Sequence, residues 1–184
     1  MTDINDLDTL CPKIEATSYC CSLVRRLTGI SSYASGLIIE NSYRSSSYNV
    51  TNCSLILEWS GRFKADCKKL GTNTAHEERI TEDATIGLAY ILLDHHTDLQ
   101  IIEATVRGEK HFDYWIGNGY SGKKLGLEVS GRRNSKERRW KIESLCEDKA
   151  KQLLRYPSIC KAGYVCVAVY DNRNTKARLW YFNK

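Results

Sequence analysis

Two carboxylates interrupt segments of the chain that otherwise read as apolar strands. Asp113 breaks the aromatic run His111–Gly117, and Glu128 breaks Leu125–Val129. A carboxylate inside a buried strand is expensive unless a partner or a metal compensates it. Two of them on consecutive strands can converge on one point, an arrangement that suits a divalent cation with oxygen ligands. The plainer alternatives are ion pairs, Asp113 with Lys110 or Lys124 and Glu128 with Arg107 or Arg132.

The elements that must position this pair follow from pattern. Leu99–Arg107, His111–Gly117 and Lys124–Gly131 alternate or run apolar between Gly-rich and Lys-rich turns, which predicts a three-strand meander. Ahead of it, Ala75–His95 reads as a helix with Thr74 as N-cap and Glu77 and Glu78 in its first turn. One apolar stripe holds Ile80, Ala84, Gly87, Leu88 and Ile91, and a second holds Ile86, Ala89 and Leu93, so this helix is expected to be covered on two sides. Glu82 lies at the edge of the second stripe; Glu77, Glu78 and Asp83 are its competitors for any role in the site. His95 and His96 close the helix and favour its dipole. After the meander, Ser135 is the expected N-cap of a second helix reaching about Arg155, stopped before Pro157, with Ile142, Leu145, Cys146, Ala150 and Leu153 inward. Two strands, Gly163–Tyr170 and Ala177–Phe182, end the order.

Residues 1–73 carry less pattern. A helix is expected within Asp6–Arg26, then strands at Gly36–Ile39 and Ser54–Trp59 joined by a long polar hairpin loop, Asn41–Asn52. Tyr33, Tyr43 and Tyr48 could stack on bases or a partner, or simply pack the loop. The chain thus divides into an extension, 1–73, and a core, 74–184. The extension offers a surface for a homodimer or a larger complex.

Composition bounds the class. A chain of 184 residues, 42% apolar and 27% charged, holds one good-sized core and has ordinary globular values. No basic stretch is followed by an apolar leader and no apolar window reaches membrane-spanning length, so a cytoplasmic protein without a membrane segment is expected. The eight cysteines form no C-x-x-C pair, which predicts reduced, mostly buried thiols. The net charge of +5 is unevenly spread: Gly131–Arg155 carries nine Lys/Arg against four Asp/Glu, and His76–Thr97 one against five. The first segment is basic enough to meet a polyanion.

The order helix, three-strand meander, helix, strand, with Asp113 on the second strand and Glu128 in the triplet Glu128-Val129-Ser130 on the third, resembles the PD-(D/E)XK nuclease superfamily, over roughly Ala75–Tyr170. The resemblance implies an α/β (α+β) fold with a restriction-endonuclease-like αβββαβ core, a central mixed sheet flanked by helices. It implies metal-assisted phosphodiester hydrolysis, of DNA rather than RNA, in a restriction or phage-defence role. Asp113 and Glu128 would hold Mg²⁺ or Mn²⁺, Glu82 would join from the helix, and Ser130 would take the last catalytic position. Arg132, Arg133, Lys136 and Arg139 would engage flanking phosphates. The family's lysine follows the Glu by two positions, and here that residue is Ser130, which carries no charge. Either Lys136 or Lys124 replaces the cation, or the metal alone suffices, or the fold survives as an inactive binding subunit of a larger complex. Trp115 is more often a core residue than a stacking platform, and Arg132–Arg139 is as readily a solvated helix start.

Overall fold

A computed structural model describes residues 2–3, 16–28, 36–47, 49–59, 77–105, 112–118, 125–155, 159–171 and 174–184. In chain order the elements are β1 (Thr2–Asp3), α1 (Ala16–Thr28), β2 (Gly36–Arg44), β3 (Val50–Glu58), α2 (Glu77–His96), β4 (Gln100–Ala104), β5 (Tyr114–Gly117), β6 (Leu125–Arg133), α3 (Ile142–Leu153), β7 (Ala162–Tyr170) and β8 (Lys176–Asn183). The fold is α+β. Seven full strands and the two-residue β1 form one mixed sheet in the order β1-β3-β2-β8-β7-β6-β5-β4. β6 and β7 are parallel, as are β2 and β8, while β4–β5–β6 and β7–β8 are antiparallel.

β7 explains the layering. Every residue from Gly163 to Tyr170 is buried. Tyr164, Cys166, Ala168 and Tyr170 enter the core beneath α2, and Val165, Val167 and Val169 enter the one beneath α3. A continuous apolar run is what a strand covered on both faces requires. The two stripes of α2 work the same way: Leu88, Ala89, Tyr90, Ile91, Leu92 and Leu93 are all buried, because the sheet covers one side of the helix and α1 packs along another. β6 fixes where α2 can lie. A Cβ on Gly131 would fall 2.2 Å from Thr85 Oγ1 and 2.6 Å from the Thr81 carbonyl oxygen, so the helix backbone rests on a residue without a side chain.

The meander β4–β5–β6 occupies one end of the sheet, whose middle is β8 and β7. Three expectations change. Asn41–Asn52 is not a long loop: β2 runs to Arg44 and β3 begins at Val50, with Asn41 paired to Cys53 and Ser42 to Asn52. Their polarity misleads because Asn41 and Ser42 are buried polar residues with partners, His96 and Trp180 respectively. Ser135 does not start a helix. Its hydroxyl accepts the Arg138 N–H at 3.1 Å and closes a turn, the Trp140 N–H goes to Asn134 Oδ1 at 2.8 Å, and α3 begins only after the extended residue Lys141. Asp113 stands in a bend one residue ahead of β5 and is exposed, not inside the strand.

Thr74, Tyr33, Tyr48, Lys110 and Lys124 lie outside the described residues. The six described cysteines are free thiols, five of them buried. Among the described residues no helix is long and apolar enough to cross a membrane.

Candidate active site

Strand alternation assigns the faces of β6. Leu127 and Gly131 turn toward α2, and Gly126, Glu128, Ser130 and Arg132 turn toward α3. At Glu128 the sheet meets the inner edge of α3, and Lys149 reaches down to it: Lys149 Nζ donates to Glu128 Oε1 at 2.6 Å and to Gln152 Oε1 at 3.0 Å. The Glu128 side chain is 1% exposed and that of Lys149 20%. The other carboxylate oxygen of Glu128, Oε2, is buried and has no hydrogen-bond partner among the described residues.

Asp113 arrives from the bend that leads into β5. Its main chain is pinned on both sides, by Asp113 N–H to the Leu127 carbonyl at 3.0 Å and by the Thr105 N–H to the Asp113 carbonyl at 2.9 Å. The Thr105 hydroxyl donates to the Phe112 carbonyl as well. Its carboxylate Oδ2 accepts the Val129 N–H at 2.8 Å, where the β5–β6 ladder has run out of main-chain partners. One residue thus does two things: it finishes the ladder and holds a carboxylate next to Glu128. The charges interact. Burial first, and the charge of Asp113 second, push the Glu128 carboxyl up to about 7 even with Lys149 alongside.

Asp113 opens into a cleft of about 930 Å³ lined from α2, β6 and α3, and Glu128 lies buried behind its wall. Asp113, Ser130, Arg132 and Lys149 line it, and so do Glu82, Asp83 and Arg79 of α2. Glu82, the helix acid singled out from the sequence, faces the cleft but is exposed, while Asp83 is half-buried. Burial raises the Asp83 carboxyl, Arg79 opposes the rise, and Glu82 adds to it. The phenol of Tyr114, raised chiefly by burial, feels both Asp113 and Asp83. Ser130 is buried beside them.

The four basic residues expected to meet phosphates separate. Arg132 is half-buried and lines the cleft. Arg133 and Lys136 are exposed. Arg139 is engaged with Asp171, Nη1 to Oδ2 at 2.8 Å.

Sequence reasoning missed Lys149. The signal was present in helical phase: Lys149 follows Leu145 by four and Cys146 by three, so it borders the buried stripe of α3 and must bend inward from its edge. Searching for the cation by nearness to Glu128 along the chain pointed to Lys136 and Lys124 instead. Trp115 is half-buried with its ring edge-on to Phe112 at 4.7 Å, as a core residue would be.

Among the described residues no group of three or more His, Cys, Asp or Glu is arranged to hold a metal ion. Two carboxylates still suit Mg²⁺, which is commonly held by one or two carboxylates with waters and substrate phosphate completing the shell. The unpartnered, buried Glu128 Oε2 is the atom such an ion would satisfy. No family model, no curated protein and no solved structure matches the chain.

Proposed function

We propose that the chain is a divalent-metal-dependent nuclease that hydrolyses phosphodiester bonds of DNA in a restriction or defence role. In this reading β4–β7 with α2 and α3 form a restriction-endonuclease-like core. The observation that carries it is a buried glutamate with one oxygen left unsatisfied, held between a lysine and a second carboxylate that both line an open cleft. A purely structural ion pair has no need of the second carboxylate, which raises the cost of burying the first.

Asp113 and Glu128 would hold Mg²⁺ or Mn²⁺. Bound there, the ion supplies Lewis acidity at the phosphate and acidifies a water. Lys149 is the cation that Ser130 cannot be: its ammonium group, partly open to the cleft, is placed to neutralise charge gathering on a phosphate oxygen. Asp83 and Glu82 face the same space from the opposite helix, where an acid can orient water. Ser130 fills a buried position beside Glu128 without adding charge.

A second reading, an inactive nuclease-fold subunit that binds nucleic acid within a larger complex, is favoured by one feature. Lys149 already occupies Glu128 Oε1, and an ion arriving at that carboxylate must share it.

Thermal melting with EDTA or Mn²⁺, run beside a plasmid-nicking assay, separates the two. The nuclease reading expects Mn²⁺ to raise Tm in the native chain and not in Asp113→Asn. It also expects nicking that Lys149→Met reduces by about a hundredfold, the scale of losing one electrostatic donor. An ion-independent Tm together with no nicking favours the binding subunit.

A further inference from the structure

The loop between β6 and α3 is short of regular structure but not of bonds. The Asn134 N–H meets the Tyr170 carbonyl at 2.9 Å, and its side chain donates to Asp171 Oδ2 at 2.9 Å. The Ser135 N–H meets the Arg138 carbonyl at 2.9 Å, and the single acid of the loop, Glu137, is held by the Ser135 hydroxyl. Arg139 staples the far side to Asp171. What this frame presents is one half-buried indole, Trp140, with two guanidinium groups over it: Arg138 at 3.8 Å from the ring centroid and Arg132 at 5.3 Å. Arg132 is also part of the cleft wall, so the indole joins an arginine of the cleft to an arginine of the loop.

Contact through the ring face engages the cation and leaves in-plane N–H donors for oxygen acceptors. Arg132 gives one of its donors to the Gly131 carbonyl at 2.8 Å, and a guanidinium has five. A braced arginine also loses less side-chain freedom when it binds. Proteins that prefer single strands, by contrast, offer open aromatic faces on which bases stack. Here the ring nearest the track lies under guanidinium groups, Phe112 and Tyr114 in the cleft wall are buried, and Tyr19 stacks with Tyr90.

We propose that Arg132 and Arg138, braced on Trp140, form a track for the phosphate backbone of duplex DNA, read without regard to base sequence, that delivers the strand to the cleft. Arg139 is not part of it. The direction of the track rests on the nuclease reading; its measurement needs no cleavage.

The test is fluorescence anisotropy in EDTA with a labelled duplex and its single strand, over a salt series. The native chain should bind the duplex more tightly than the strand. Arg132→Gln and Arg138→Gln should each flatten the slope of log K against log salt by about 0.9, roughly an eightfold loss at 0.1 M salt. Arg139→Gln should leave the slope unchanged. Trp140→Leu, which removes no charge, should weaken binding, and Trp140→Phe should restore most of it. Arg138 is exposed and, among the described residues, its side chain lies against the indole, so the folded state of that variant, checked by melting, is expected to persist. No duplex binding, a preference for single strand, or equal loss from all three arginine variants would overturn the track. Normal binding without nicking would instead sink the nuclease reading and leave the track standing.

Discussion

Glu128, which is buried, and His96, which is half-buried, are titratable groups whose environments push their stability effects in opposite directions. Burial and then Asp113 raise the Glu128 carboxyl from 4.5 to about 7. The folded protein therefore holds that proton over a range where the unfolded chain has lost it, and the stability this gives is full below pH 4.5 and drains away as pH rises to 7. One proton sets a limiting slope of about −1.4 kcal/mol per pH unit. His96 stacks on Tyr43 with ring centroids 4.6 Å apart and accepts Asn41 Nδ2 at 2.7 Å; burial, and then the charge of His95, lower it to about 4. Its contribution is present above pH 6.5 and is lost as pH falls toward 4. In EDTA the native chain should thus show little net slope between pH 4.5 and 6.5. Glu128→Gln should expose a stability that rises with pH, and His96→Gln one that falls. Urea melts at several pH values measure both, and parallel curves for the three proteins would contradict the assignments. The sequence marked Glu128 as out of place but could not give its partner, because Lys149 lies 21 positions away and helical phase alone brings it back.

Elements were legible where burial is periodic and illegible where polar residues are buried or turns compete with helices. α2, β6, β7 and β8 can be read from their apolar patterns. The ends of β2 and β3 cannot, because the partners of Asn41 and Ser42 are His96 and Trp180, far along the chain. The stretch 135–141 has good helix composition, yet Ser135 spends its hydroxyl on a turn. The seating of α2 on β6 gives a sharp prediction. Gly131→Ala would place a methyl group against the Thr81 carbonyl, which belongs to the helix backbone and cannot rotate aside. A cost of about 1–3 kcal/mol is expected. The helix shift should also reach the cleft, since Glu82 and Asp83 ride on the same turns. Chemical denaturation measures the first effect, and, on the proposed nuclease reading, Mn²⁺ titration measures the second. If Gly131→Ala costs nothing, the close approach of α2 to β6 is misplaced.

At the scale of the molecule, the last strand joins what the sequence pattern divides. A boundary near residue 73 is natural on the chain, but β2 pairs with β8 from Glu40↔Lys176 to Arg44↔Trp180, and β8 pairs with β7 along its length. Hairpin and core are expected to open together. Leu179, fully buried, touches this junction, and Leu179→Ala should cost about 2–5 kcal/mol. Hydrogen exchange should show that loss in the amides of β2 as well as β7; a loss confined to β7 would mean that the extension is an independent unit. Synthesis makes β2, β3 and β7 before β8, so until then the hairpin and the layers around β7 are expected to be two bodies with facing, unpaired edges. Until residues 176–183 emerge, both edges are templates for the wrong partner. The final strand is both the seam of the fold and its guard against aggregation, and a chain stopped just short of it would carry most of the cleft on a body prone to precipitate.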